Sequence, residues 1–314
     1  MGLTIGLDVG GTKVAAGVVD DGGKIAEKLK RPTPTADPDQ ILKVIADVVA
    51  ELSSRHQVDA VGLGVAGYLD AARSTLRFSP HLPWRDEPLR ARLADLTGLP
   101  VVMDNDANAS AWGEVRFGAA RGQQDVVLLA VGTGIGGAIV LGGRLYRGRW
   151  GMAGEPGHYR VVPGGRACPC GNHGCLEQYA SGSALVAEAR DLAVRAPGQA
   201  ARLLELGGGA VDGIGGPQVT QAAAEGDPAA LRCFGIVGGW LGQAMADLAA
   251  ILDPGCFVIG GGVSDAGELL ARPARAAFAQ TLTGRGYRDF ADVRIAAFGA
   301  DAGLVGAADL ARSG

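Results

Sequence analysis

The chain has 314 residues, 47% of them apolar and 20% charged, with a formal net charge of −4. That is enough apolar material for two domains with cores of their own, and the interspersed acids and bases leave no broad cationic face for nucleic acid. No run approaches the roughly 20 apolar residues that cross a bilayer, and the first strand begins within three residues without a basic leader, so the predicted address is the cytoplasm.

In chain order, short apolar runs at 3–7, at 14–19 and near Ile25, separated by glycine turns, predict a β-meander. After a loop at 32–38, Asp37 is placed to cap a helix whose Ile41, Ile45, Val48, Val49 and Leu52 keep the three-four spacing of one buried face. A strand at 60–65, a helix at 87–97 stopped by Gly98, and a strand at 101–103 lead into Asp104-Asn105-Asp106-Ala107-Asn108. The hairpin pattern returns at 126–131 and 138–141. An irregular segment at about 144–174 follows, then helices near 183–195, 217–225 and 229–252 and a strand at 256–259. Gly260-Gly261-Gly262 precedes Ser264, a candidate helix cap; a helix to about Phe278, a strand at 293–296 and a closing helix from about Ala302 complete the chain.

Two turns carry the first chemical signal, Asp8-Val9-Gly10-Gly11-Thr12-Lys13 and Gly132-Thr133-Gly134-Ile135-Gly136-Gly137. Each lies between strand-length runs and reads as a hairpin tip whose glycines admit a ligand to main-chain N–H groups and whose threonine adds a hydroxyl donor. A pair of such tips suits a polyphosphate held from two sides, hence nucleotide chemistry in a cleft between two related domains. Asp8, at a strand end, can hold the water of a Mg²⁺ ion bridging the phosphates. Lys13 reads equally as solvated, and Gly260 to Gly262 reads either as a plain strand-to-helix turn or as a surface on which adenine lies flat.

Asp106 follows a buried strand at its carboxyl end, the usual place for catalytic groups in an α/β sheet, although Asp104 and Asp106 also fit plain helix caps. A carboxylate there can orient an acceptor hydroxyl and take its proton, worth roughly 10²- to 10⁴-fold in rate, with Asn105 fixing a sugar beside it. Cys168-Pro-Cys170-Gly-Asn-His-Gly-Cys175 places three of the five cysteines together, with His158 upstream. In a reducing compartment this is a tetrahedral zinc set, closed by four protein ligands and therefore structural, locking a loop without regular hydrogen-bonding partners. His173 competes on paper, but between Cys170 and Cys175 it would strain the short chelate loop, so His158 is the expected fourth ligand. Glu155 and Glu177 bracket the loop and suit a hydroxyl-rich ligand. Cys233 and Cys256 read as core residues, His56 as an exposed helix end, and Trp84 as a core residue, a subunit contact or a sugar platform.

Taken together, these residues resemble the ROK family (repressor, open reading frame, kinase), and within it the actinobacterial type of ATP-dependent glucokinase. The resemblance spans nearly the whole chain and rests on Asp8 to Lys13, Gly64-Val65-Ala66-Gly67, Leu82-Pro83-Trp84-Arg85, Asn105 to Asn108, Gly132 to Gly137, Glu155 to His158, and Cys168 through Gly182. It implies an α/β, two-domain actin/Hsp70/hexokinase-like (ribonuclease H-like) fold with the active-site cleft between domains. The smaller domain would take 1–118 plus 300–314, the larger 119–299 with the zinc loop. It implies transfer of the ATP γ-phosphoryl group to the 6-hydroxyl of D-glucose, giving glucose 6-phosphate and ADP, by a homodimer or homotetramer with no nucleic-acid or membrane partner. By the same likeness Asp106 is the catalytic base, and Gly67, Asn105, Asp106, Glu155, His158 and Glu177 meet the sugar. Thr12, Lys13 and Thr133 take the phosphates with Gly10, Gly11, Gly132, Gly134 and Gly136 of the same turns. Asp8 takes Mg²⁺, Gly260 to Gly262 the adenosine side, and His158, Cys168, Cys170 and Cys175 the Zn²⁺.

One position departs from the family pattern: His81 stands where Pro-Asn-Leu is usual, which puts the edge of the sugar pocket in question. The rival readings are a kinase for fructose, mannose or N-acetylmannosamine, a sugar-sensing ROK regulator, and an actin-like or chaperone ATPase. The regulator would carry a helix-turn-helix ahead of the first hairpin, where this sequence has only Met1 and Gly2.

Overall fold

The computed structural model describes residues 2–34 and 37–312; Thr35 and Ala36 of the loop at 32–38 lie outside the described residues. The chain opens with β1 (Leu3–Val9), β2 (Lys13–Val19), β3 (Ile25–Pro32) and α1 (Pro38–Ser53). Next come β4 (Val58–Val65), β5 (Tyr68–Leu69), β6 (Leu76–Phe78), β7 (Arg85–Glu87), α2 (Leu89–Thr97), β8 (Val101–Asn105) and α3 (Asp106–Arg116). The larger sheet here runs β3-β2-β1-β4-β8 and the smaller β5-β6-β7. The meander β1 to β3 is antiparallel, whereas β4 and β8 join β1 in parallel.

Local chemistry accounts for these elements. Asp37 caps α1 by accepting the Asp39 N–H at 2.9 Å, and Pro38 fills the first turn, where its missing N–H costs nothing. The apolar face of α1 buries Ile41, Leu42, Ile45, Val48, Val49 and Leu52, each contributing about 1.5–3 kcal/mol of transfer free energy. Gly98 ends α2 in the left-handed conformation (φ 68°). The three-stranded β5 to β7 sheet escapes the sequence reading because its strands are two or three residues long and carry no period to detect.

After α3 come β9 (Val126–Val131), β10 (Ile135–Leu141), β11 (Arg144–Leu145), α4 (Glu177–Ala180), α5 (Gly182–Arg195), α6 (Ala201–Leu206), α7 (Gly216–Ala224) and α8 (Pro228–Leu252). The chain closes with β12 (Cys256–Gly260), α9 (Glu268–Thr281), β13 (Asp292–Ile295) and α10 (Ala302–Arg312). The second sheet runs β11-β10-β9-β12-β13. Packing divides the chain into two units. One takes residues up to Leu128, Ala138–Gly154 and those from Ala296 on; the other takes Leu129–Gly137 and Glu155–Ile295, so the division passes through β9 and β10.

These bounds differ from the expected 1–118 plus 300–314 and 119–299. The main difference is Ala138–Gly154, which joins the first unit because Arg147 of this segment pairs with the buried carboxylate of Asp104 (Nε to Oδ2, 2.9 Å). In the first unit α10 packs on β1, β4 and α3, and the fit is so close that a Cβ on Gly62 would lie 1.7 Å from the Ala307 carbonyl oxygen. Only glycine lets a helix backbone settle onto the sheet in this way. In the second unit α8 is long and apolar enough to cross a membrane by length and composition, contrary to the expectation of no spanning run. It packs instead along α9, α5 and α7 with one face in the core, as a central helix of a folded unit does.

Candidate active site

In the first unit, strand register brings the acidic residues to one edge. Asp8 of β1 pairs with Gly64 of β4, and Gly64 with Asp104 of β8, while Val65 pairs with Asn105 in the next row. The carboxyl ends of three parallel strands therefore present Asp8, Asp104 and Asn105 together, with Asp106 opening α3 behind them. Asn105 is the helix cap: its Oδ1 accepts from the N–H groups of Ala107 (2.9 Å) and Asn108 (3.1 Å), and its Nδ2 donates to the Gly67 carbonyl (3.2 Å). Capping thus falls to Asn105 and not to Asp104, which is engaged with Arg147, the Asn105 N–H and Asn108 Nδ2.

Both site carboxylates resist ionisation. Burial, then the charge of Asp106, push the Asp8 pKa up to about 6 against the pull of Lys13. Burial raises Asp106 as well, opposed chiefly by the Ala107 N–H, which donates to its Oδ1 at 3.0 Å. Two neighbouring carboxyls held above the ordinary carboxylate range mark a place built for proton transfer or for a cation. Thr12 closes the turn between β1 and β2 and Lys13 opens β2, so both lie on the first glycine-rich hairpin.

In the second unit, a cavity of about 610 Å³ is lined by Gly132 and Thr133 of the β9–β10 turn, Ser183, Val186, Ala187 and Arg190 on one face of α5, and Gly262. Gly182 N–H donates to the Gly132 carbonyl (2.8 Å), docking the start of α5 against the turn. Gly261 adopts φ 82°, and a Cβ there would lie 2.5 Å from the Val131 carbonyl oxygen, so this position excludes any side chain. Gly260 ends β12, and Gly136 lies inside β10, away from the turn itself. The α5 face and Arg190 were not legible as site residues, because their i, i+3, i+4, i+7 spacing is that of any helix wall.

His158, Cys168, Cys170 and Cys175 offer ligand atoms that all lie within 4.8 Å of one another. The Cys170 and Cys175 sulfurs are 3.7 Å apart, as are Cys168 Sγ and His158 Nδ1. Sulfurs about 2.3 Å from a tetrahedral zinc stand about 3.8 Å apart, so the donors, the spacing and the mixed sulfur–nitrogen set fit that metal. His173 bridges Ala167 in the loop instead. The loop also has more internal order than expected. Main-chain bonds run from Cys168 N to Asn172 O (2.8 Å), Gly174 N to Arg166 O (2.8 Å) and Val161 N to Gly174 O (2.9 Å).

Glu177 opens α4 and reaches both features of this unit: its Oε2 accepts weakly from the Ile135 N–H (3.4 Å) and its Oε1 lies 3.0 Å from Cys168 Sγ. Glu155 precedes the short 3₁₀ turn Pro156–His158 and accepts the His158 N–H through its carbonyl at 3.1 Å. His56 and Ser264 depart from expectation, while Trp84 takes the first of its three expected roles. Trp84 is 1% exposed and belongs to the core of the first unit. His56 is half-buried, 2.8 Å from Glu27, and not a free helix end. Ser264 does not cap a helix; its hydroxyl donates to the Gly261 carbonyl within a 3₁₀ turn, and α9 begins after Gly267. His81 packs against the first glycine turn, where a Cβ on Gly11 would lie 2.8 Å from the His81 carbonyl oxygen. Cys233 and Cys256 are buried, with thiols raised by burial to about 11.

Known proteins share this fold. The chain is 49% identical to a glucokinase of Streptomyces coelicolor over 99% of its length and 98% of the relative's. It is 34% identical to an N-acetylmannosamine kinase of Escherichia coli O1:K1 across 98% of both chains. Its fold superposes with a TM-score of 0.91 on a crystal structure of a ROK family glucokinase from Streptomyces griseus in complex with glucose and AMPPNP, at 52% identity with both chains fully covered. The model of the ROK family matches residues 4–313, and the chain belongs to that family.

Proposed function

We propose that this protein is an ATP-dependent glucokinase, transferring the γ-phosphoryl group of ATP to the 6-hydroxyl of D-glucose to give glucose 6-phosphate and ADP. The observation that carries the reading is the full-length likeness, at 52% identity, to a glucokinase holding glucose and an ATP analogue. In this reading Asp106 hydrogen-bonds the sugar 6-hydroxyl and takes its proton as the phosphoryl group arrives; burial raises its pKa above the ordinary carboxylate value, which makes it a stronger base than a solvated aspartate. Gly67, Asn105, Asp106, Glu155, His158 and Glu177 are the residues assigned to the sugar hydroxyls. His158 turns Nδ1 toward Cys168, so its Nε2–H is the donor left for sugar.

Gly10, Gly11, Thr12 and Lys13 of one hairpin, with Gly132, Thr133, Gly134 and Gly136 of the other, take the phosphates. Asp8 would hold the Mg²⁺ that neutralises phosphate charge, and Gly260 to Gly262 the adenosine side of the cavity beside α5. His158, Cys168, Cys170 and Cys175 would hold a structural Zn²⁺ that stiffens the loop carrying the sugar contacts. A cytoplasmic, homodimeric or homotetrameric enzyme completes the reading.

The test is a hexose panel with ADP release coupled to a spectrophotometric readout. Glucose should give the highest kcat/KM. A preference of tenfold or more for N-acetylmannosamine, the alternative favoured by the 34% identical kinase, would replace the substrate while leaving the kinase chemistry.

A further inference from the structure

We infer that Thr33 is a positioning residue for the first phosphate-binding turn, setting the direction of its donor N–H groups; this rests on the reading of that turn as a phosphate site. Thr33 follows β3, is 7% exposed, and binds the Gly10-Gly11-Thr12 turn from behind through two different groups. Its hydroxyl donates to the Gly10 carbonyl at 2.7 Å, and its main-chain N–H donates to the Thr12 carbonyl at 3.1 Å.

The consequence follows from peptide planarity. The C=O of one residue and the N–H of the next belong to one rigid trans peptide and point in opposite directions. Drawing the Gly10 carbonyl toward Thr33 therefore turns the Gly11 N–H the other way, and drawing the Thr12 carbonyl does the same for the Lys13 N–H. A Gly-Gly peptide has no Cβ to prefer one orientation, so an external anchor must choose it. The flanking residues make Thr33 the anchor. Pro32 and Pro34 have no N–H, leaving Thr33 as the one main-chain donor in Pro-Thr-Pro, and a following proline holds both Arg31 and Thr33 extended. Pro32 is also paired in register with Lys13, which keeps the strut alongside the turn.

The experiment compares Thr33→Val, which keeps shape and loses the hydroxyl, with Thr33→Ser, which keeps the hydroxyl and loses a methyl. Binding of AMPPNP with Mg²⁺ is measured by calorimetry, alongside KM for ATP and for glucose and the melting midpoint. Thr33→Val should weaken AMPPNP and raise the ATP KM about tenfold, the loss expected for one oriented hydrogen bond, with the glucose KM within about twofold of wild type. Thr33→Ser should stay within about twofold throughout. Wild-type AMPPNP affinity in Thr33→Val overturns the inference, and so does equal weakening by both variants, which would make methyl packing the cause. If Thr33→Val does not fold, Thr33→Ala carries the same expectation against Thr33→Ser. Calorimetry also separates the two levels: a wild-type protein that binds AMPPNP but phosphorylates no hexose sinks the glucokinase reading, and the Thr33 comparison still stands on binding alone.

Discussion

Asp106 and Asp8 are chemically alike, and the proposed function gives them different work. Asp106 sits in the first turn of α3, its Oδ1 held by the Ala107 N–H, so removing its charge should cost chemistry more than structure. We expect Asp106→Asn to lower kcat by roughly 10²- to 10⁴-fold while glucose binding, followed by intrinsic fluorescence, stays within a few-fold; near-normal turnover would refute the base assignment. Asp8 makes a pH-dependent claim. Its folded pKa, about 6, lies above the ordinary value of 3.8, so the folded protein binds the extra proton between those values. The stability this carboxyl contributes is present below about pH 4 and is lost as pH rises through about 6, an effect of up to about 3 kcal/mol. In ligand-free protein Asp8→Asn should therefore raise the melting midpoint at pH 7.5 and change little at pH 4. In turnover, the ATP KM of the wild type should rise as pH falls below about 6, because a protonated Asp8 holds Mg²⁺ poorly. A midpoint that falls in Asp8→Asn at pH 7.5 would remove the burial argument.

The cysteine loop is an element with two sources of order. Its main-chain bonds give it a path even without metal, and in the proposed function a Zn²⁺ on the four clustered ligand atoms would draw its ends together around His158. Cys170→Ser should release stoichiometric zinc, measured by atomic absorption, and lower the melting midpoint without abolishing folding; retained zinc would mean a different ligand set. Because Glu177 lies 3.0 Å from Cys168 Sγ and also meets the Ile135 N–H, the same variant should raise the glucose KM more than a remote surface change does.

At the scale of the whole molecule, the segment Ala138–Gly154 belongs with the first unit through Arg147 and Asp104. Asp104 is 3% exposed and Arg147 shields it, so Arg147→Met leaves a buried carboxylate without its main cation. That should destabilise by about 3–5 kcal/mol, read as a drop in denaturation midpoint, with Arg147→Lys losing less. Much of this organisation was legible in the sequence. Asp37, Gly98 and the apolar spacing of α1 act on their own neighbours, so a cap, a stop and a buried face could be read directly. The Cys-Pro-Cys cluster and the two glycine turns are likewise patterns confined to a few residues, and the structure has the clustered side chains and the hairpin turns. What sequence alone determined was thus the set of local devices and the family they resemble. Tertiary structure alone decided that β-strand register gathers Asp8, Asp104 and Asn105 at one edge, that Thr33 braces a turn some twenty residues earlier, and that Trp84 belongs to the core. Those outcomes depend on contacts between residues far apart in the chain, whose partners are selected by packing and pairing geometry, and no short-range pattern encodes them.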